Sequence, residues 1–275
     1  MYVGLALARR LEMAHAWRSV KYARAQLVWR PETHSTVQPV AGGFAVFAGD
    51  GSPLNRAVGL GLHGPVTDTD LQHVEQFYLS RQATPRIDLC PLADASLLAL
   101  LRERGYLLEH FFNVMARPLS NEDAAAPTEI HVTQAAPEEA ELWIRTTAQG
   151  FTGQDNPPQA DLDILVPNFY SQDATCFFAW VGDQPAGGGA MFIHENVAEL
   201  GGASTRPAFR KRGVQTALLR ARLAAARKAG CDLAVSMTEP GSNSQRNMER
   251  AGFRLAFTKA SMVKATTTVA ENSGI

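Results

Sequence analysis

Displaced by 147 residues and laid on itself without gaps, the chain repeats its own pattern. Phe44 to Phe47 falls on Met191 to His194, and Leu71, Val74 and Tyr78 fall on Leu218, Ala221 and Ala225. Further along, Gly105 and Tyr106 meet Gly252 and Phe253, Leu108 meets Leu255, Met115 meets Met262, and Arg117 meets Lys264. Few pairs are identical, yet one constant offset keeps apolar residues on apolar ones and glycine on glycine, as in a duplicated unit. The 275 residues have room for two cores, each in a unit of about 100 to 150 residues. The whole chain is thereby constrained to two versions of one architecture.

Apolar spacing fills in that architecture. The first half reads as a helix over Leu5 to Gln26, strands at Gly43 to Ala48 and Arg56 to Leu62, and a helix from Asp70 to Arg81. A strand at Arg86 to Cys90, a helix from Ala95 to Arg104 and a strand pair from Tyr106 to Arg117 complete it. In the opening helix Glu12, His15 and Ser19 dilute the polar face, which favours a packed domain helix over one lying on a membrane. Leu119 to Thr128 is small, polar and acidic with one proline, the composition of a linker. The second half predicts helices at Pro137 to Gln149 and Ala160 to Tyr170, then strands at Cys176 to Val181, Gly187 to His194 and Ala198 to Thr205. A long helix from Gly213 to Ala229, a strand at Asp232 to Met237, a helix at Ser242 to Ala251 and a final strand pair to Lys264 follow. The expected organisation is a unit at 1–118, a linker at 119–128, a second unit at 129–265 and a tail at 266–275, each unit an α/β fold of α+β type with a central mixed sheet flanked by helices.

The net charge of -1, with 45% hydrophobic and 19% charged residues, describes a globular protein with no global affinity for nucleic acid. Cys90, Cys176 and Cys231 are widely spaced and lie beside apolar residues, as buried reduced thiols of a cytoplasmic protein do. The apolar run from Met1 to Ala8 is too short to span a membrane, and its charges, Arg9 and Arg10, follow it rather than precede it as in a secretory signal. The seven histidines show no metal-ligand spacing, so no metal is expected.

Chemistry enters at Glu199 to Leu219, where a strand runs through Arg210-Lys211-Arg212-Gly213-Val214-Gln215 directly into an Ala/Leu/Arg helix. The unpaired amides of such a helix start, its dipole and a glycine that admits close approach make an anion site. From Arg206 to Lys228 there are eight basic residues and no acidic one, in a chain otherwise balanced. Phe209 is the one aromatic there, which argues against a nucleic-acid surface and for a compact phosphate group.

The Arg210-x-x-Gly213-x-Gln215 turn resembles the Q/R-x-x-G-x-G/A pyrophosphate loop of the GNAT (GCN5-related) N-acetyltransferases, with Gln215 where Gly or Ala is usual. The polar helix start Gly241-Ser242-Asn243-Ser244, then Arg250-Ala251-Gly252-Phe253 and a terminal strand region, follow in the order that family shows. The resemblance implies a tandem GNAT fold and acetyl transfer from acetyl-CoA (coenzyme A) to a primary amine of a small molecule, peptide or protein. It implies that Arg210, Lys211, Arg212, Gly213, Val214, Gln215 and Thr216 hold the pyrophosphate, and that Gly202, Ala203, Ser204 and Thr205 hold the pantetheine arm. An amide near Ala203 would face the thioester carbonyl, with Asn243 and Asn247 as further contacts.

Glu199, eleven residues before Arg210, is the expected base, with His194 and Glu195 as substitutes. The tyrosine often assigned to protonate the leaving thiolate is replaced by Met248, leaving Ser244 or water as the acid. In the first half His63 and Val66 stand at the positions of Arg210 and Gly213, and Pro65 removes an amide, so a degenerate copy without coenzyme A is expected there. Two other readings stay open: a non-catalytic coenzyme A-binding module, and an interaction protein built on the basic helix. The expected partners are acetyl-CoA and an amine acceptor, without nucleic acid or membrane, for a monomer or homodimer.

Overall fold

The computed structural model describes residues 2–120 and 130–265; most of the expected linker and all of the tail lie outside the described residues. The first half runs α1 (Leu5–Trp29), β1 (Thr36–Val40), β2 (Gly43–Phe47), β3 (Arg56–Val58), α2 (Asp68–Leu79), β4 (Arg86–Leu89), α3 (Ala95–Glu103) and β5 (Tyr106–Pro118). The second runs β6 (His131–Gln134), α4 (Ala140–Thr152), α5 (Gln159–Tyr170), β7 (Ala174–Val181), β8 (Gln184–His194), β9 (Val197–Thr205), α6 (Val214–Lys228), β10 (Leu233–Thr238), α7 (Asn243–Arg250) and β11 (Arg254–Lys264). Moving α2, β4, α3 and β5 forward by 147 residues brings their starts within one residue of those of α6, β10, α7 and β11. The repeat is therefore one of elements as well as of letters.

All eleven strands of the described residues join one sheet, ordered β1-β2-β3-β4-β11-β5-β10-β9-β8-β7-β6. Its middle departs from the sequence expectation. Instead of the expected strand pair, each half ends in a single long strand, and the two pair antiparallel with each other from Arg254↔Ala116 to Lys264↔Tyr106. β11, the last strand of the second half, also pairs with β4 of the first, while β5 of the first half pairs with β10 of the second. The halves have exchanged their closing strands. A hairpin is unnecessary in either half because the partner it would supply comes from the other, and bulges at Leu255/Phe257 and Ser261/Met262 absorb the mismatch between the two strands. β1 and β6 add to the expected strands; both are short and lie at the two ends of the sheet order, and the edge position of β1 explains how it tolerates Pro39.

Side chains alternate across the sheet. Along β9, Ala198 and Leu200 pack with Leu218 and Leu223 of α6, while Val197 packs with Ala8, Leu11 and Ala14 of α1. The α1 cluster also takes Val114 and Ala116 from β5 and Val235 from β10, so one helix of the first half covers strands of both halves. Trp143 of α4 and Leu165 of α5 pack over Phe178, Ala190 and Phe192 on the side of α1, and Tyr22 Oη of α1 donates to Ile164 O of α5 at 2.9 Å. Cys90, Cys176 and Cys231 are all buried and unpaired.

Candidate active site

β9 and β10 run parallel and pair only over Leu233↔Val197, Ala234↔Ala198 and Val235↔Glu199. Beyond that point β9 continues to Thr205 and β10 to Thr238 without pairing, so the sheet opens between them. A side chain makes a tie across the start of the opening: Ser236 Oγ donates to Leu200 O at 2.8 Å. On the other edge of β9 the ladder with β8 skips from Ala190↔Gly201 to Gly188↔Ser204, leaving Gly202 and Ala203 as a bulge. Gly202 has φ +58°, which glycine adopts freely and other residues do not. The bulge thus sits beside the opening with backbone groups that neither neighbouring strand takes.

From Thr205 the chain passes through a 3-10 turn at Pro207–Phe209 and enters α6 through Lys211 at φ +62° and Gly213 at φ +84°. The first helical ladder bond is Ala217 N to Gly213 O, so the amides of Val214, Gln215 and Thr216 have no acceptor within the helix. No side chain caps this helix and its first turn holds no acidic residue. Arg210 braces the turn, donating from Nη2 to Gly150 O at 3.1 Å and from Nε to Thr205 O at 3.4 Å. Gln215, the residue that departs from the usual loop, ties the helix start to the end of β9, its Nε2 donating to Thr205 Oγ1 at 3.0 Å. Lys211 and Arg212 are exposed, and the guanidinium groups of Arg206 and Arg212 lie 5.4 and 5.5 Å from the Phe209 ring centroid. The arrangement is an uncapped, cation-rimmed helix start suited to phosphate oxygens.

The equivalent helix of the first half is closed to anions. Thr67 and Asp70 cap α2 reciprocally, Asp70 N donating to Thr67 Oγ1 at 3.1 Å and Thr67 N to Asp70 Oδ2 at 2.9 Å. Asp68 and Asp70 place two carboxylates in its first turn, where a phosphate would meet repulsion. His63 is exposed and Val66 buried in the preceding loop.

Ser204 is buried and donates from Oγ to Thr147 O at 2.7 Å, pinning β9 to α4. A Cβ on Gly150 of α4 would come within 2.3 Å of that Oγ, so this contact requires glycine. On α7 the N-cap is Ser242, whose Oγ accepts from Gln245 N at 3.2 Å; Asn243 and Ser244 are exposed in the first turn and Asn247 is half-buried. Met248 packs in the core with Phe253, so the position that a tyrosine acid would occupy is an apolar contact.

Glu199 is 2% exposed and its carboxylate faces α1, not bulk water. Oε1 accepts from Arg18 Nη1 at 2.9 Å and lies 3.1 Å from His15 Nδ1. Burial alone would raise its pKa, but Arg18 and His15 outweigh burial and hold it at about 2. Oε2 and His15 Nε2 are buried without hydrogen-bond partners among the described residues. The substitutes named from sequence fare no better as bases near the opening: His194 stacks on Trp17 with ring centroids 5.4 Å apart, and Glu195 is an exposed turn residue at φ +44°. Sequence reasoning missed Arg18, His15, Ser236 and Arg222, a buried guanidinium on α6. The available signal for Arg222 was its place in the apolar stripe Val214, Leu218, Arg222, where helical spacing calls for an aliphatic residue.

The profile of the Acetyltransferase (GNAT) family matches residues 140–253. The second half of this chain therefore carries a match to the GNAT acetyltransferase family. Across both halves the chain superposes on a GCN5-related N-acetyltransferase from Kribbella flavida with a TM-score of 0.62 at 17% identity, covering 92% of this chain and 97% of that one. A GCN5-related N-acetyltransferase from Sphaerobacter thermophilus gives a TM-score of 0.56 at 17% identity, covering 84% and 75%. A tandem GNAT protein from the clavulanic acid biosynthesis pathway gives 0.57 at 12% identity, covering 84% and 78%. No curated protein matches the chain. The GNAT fold is thus common to these proteins and this one, and it accounts for the mixed sheet flanked by helices on both faces.

Proposed function

We propose that the second half is an N-acetyltransferase that moves an acetyl group from acetyl-CoA to a primary amine. The observation that carries this reading is the continuity from the opening between β9 and β10, past the bulge at Gly202 and Ala203, to the uncapped helix start at Gly213. A pyrophosphate on the amides of Val214, Gln215 and Thr216, with Lys211 and Arg212 at the rim, leaves the attached arm free to enter the opening beside Gly202 to Thr205. Asn243, Ser244 and Asn247 of α7 are further candidates to contact the donor.

In the reaction the amine nitrogen bonds to the thioester carbon while the carbonyl π pair moves to oxygen. Collapse of that adduct breaks the C–S bond and releases the sulfur with its pair, and the amine proton leaves to water. The protein's part is to hold the two substrates together and to meet the developing oxyanion with a backbone amide. We assign Glu199 no base role, because a buried carboxylate held at about 2 by Arg18 and His15 is a weak proton acceptor. The first half, whose α2 start is capped and acidic, is assigned no coenzyme A; it contributes β5 to the sheet and α1 as the cover over Glu199. Residues 1–118 and 129–265 are on this reading two units of one folded body. Among the described residues no helix is long and apolar enough to cross a membrane.

Calorimetry of acetyl-CoA on the intact protein tests the reading. Micromolar binding is expected, weakened about tenfold or more in a Lys211→Glu, Arg212→Glu variant, since both attractions at the rim become repulsions. Absence of binding to the wild type sinks the proposal. The buried Met248 favours one second reading, a coenzyme A-binding module without turnover. Amine-dependent release of the coenzyme A thiol decides between the two.

A further inference from the structure

The β9 bulge is approached by two guanidinium groups from opposite faces of the sheet. From the α1 face comes Arg18, which would lie 2.8 Å from a Cβ on Gly201 and is neutralised by Glu199. From the α6 face comes Arg222, which is 1% exposed and has no carboxylate partner among the described residues. Its donors go to main-chain oxygens: Nε to Leu218 O at 3.1 Å, Nη1 to Ala190 O at 3.2 Å and to Gly201 O at 3.4 Å. Burial pulls its pKa down to about 10, so it remains a cation at neutral pH. An unpaired buried charge is expensive, and a methionine would fill the same stripe without that cost.

The direction of these contacts matters. Leu200 O accepts from Ser236 of β10, so it points toward β10; alternation along the strand turns Gly201 O toward β8, where Arg222 reaches it together with Ala190 O. No cis peptide is present among the described residues, so in the Gly201–Gly202 peptide the N–H of Gly202 points opposite to Gly201 O, into the opening. Neither β8 nor β10 takes that N–H in its register. A cation on the carbonyl end of a peptide draws electron density from its N–H end and strengthens it as a donor.

We propose that Arg222 is a positioning residue of the acetyl-transfer site, holding and polarising the Gly201–Gly202 peptide so that the Gly202 N–H meets the thioester oxygen as charge develops there. The proposal rests on the acetyl-transfer reading above. It also accounts for Gly189, whose Cβ would lie 3.1 Å from Arg222 Cζ: glycine leaves room for the guanidinium. A fixed positive charge beside the bulge further eases departure of the thiolate where Met248 offers no proton.

The test uses the intact protein and acetyl-CoA carrying a 13C label at the thioester carbonyl, read by infrared difference spectroscopy and by calorimetry, which need no acceptor. Bound to the wild type, the carbonyl band is expected below its frequency in free acetyl-CoA. In Arg222→Met the shift is lost while affinity stays within about threefold; in Arg222→Lys part of it returns. Gly189→Ala, which crowds the guanidinium but keeps the charge, is expected to reduce it. A shift as large in Arg222→Met as in the wild type, or no shift in a wild type that binds, overturns the role of Arg222 and leaves acetyl transfer standing. If Arg222→Met does not fold, an undiminished shift in both Arg222→Lys and Gly189→Ala overturns it equally. A wild type that fails to bind acetyl-CoA overturns both readings.

Discussion

Glu199 stands on the strand where a general base was expected, and its surroundings make it a structural anion instead. A carboxylate moved from its ordinary 4.5 to about 2 contributes to stability, here on the order of 3 kcal/mol. Because the folded pKa is the lower one, that contribution is complete above about 4.5 and fades as the pH falls toward about 2. Glu199→Gln leaves Arg18 without its acid and is expected to lower stability by about 3 kcal/mol at neutral pH, with a shallower loss between pH 4.5 and 2 in denaturant titrations. It is also expected to leave the pH dependence of acetyl transfer unmoved in shape; loss of the rise in rate on the acid side of the profile would restore the base. Gly150→Ala is the second residue-scale change: its Cβ would sit 2.3 Å from Ser204 Oγ and 2.8 Å from Thr205 N, and the backbone atom cannot swing aside. A loss of about 1–3 kcal/mol in thermal or denaturant unfolding is expected.

The elements near the proposed donor site were legible because they are local. The 3.6-residue stripe of α6, the glycine entering it and the cations before it lie in one stretch of chain, and the structure starts the helix at Val214, one residue from the expected Gly213. The ionic partners of Glu199 were not legible, since Arg18 and His15 lie 181 and 184 residues away on a helix of the other half. The closing strands differ from expectation for the same reason: residue patterns state that Tyr106–Pro118 and Arg254–Lys264 are extended, but not which strand each will meet. At this scale α2 and α6 form a natural experiment, one start capped and acidic, the other bare and basic. Thr67→Ala is expected to cost about 1 kcal/mol of stability, as loss of a cap does, without altering acetyl-CoA affinity. An affinity change in that variant, measured by calorimetry, would place donor binding in the first half.

For the molecule as a whole, the repeat was readable from one offset and the joining of its two halves into one sheet was not. Neither half owns a complete sheet: β4 needs β11, β10 needs β5, and α1 buries Leu11 and Ala14 against strands of both. Fragments 1–120 and 130–275, made separately, are therefore expected to lack cooperative unfolding alone and to regain it when mixed at equal concentration, as followed by circular dichroism. A cooperative transition in fragment 130–275 alone would show that β10 tolerates an open edge.

The exchanged strands also set a timetable for the nascent chain. β4 ends at Leu89, and the strand that covers it begins only at Arg254. At about 5–20 residues per second, a ribosome needs on the order of ten seconds or more to make the intervening chain. Throughout that interval the newborn first half carries a bare sheet edge, the kind of surface that recruits chaperones or captures a neighbouring copy on the same message. Two protein copies translated in tandem could trade closing strands with each other as readily as the two halves trade them within one, so expression yield is expected to fall as polysome density rises.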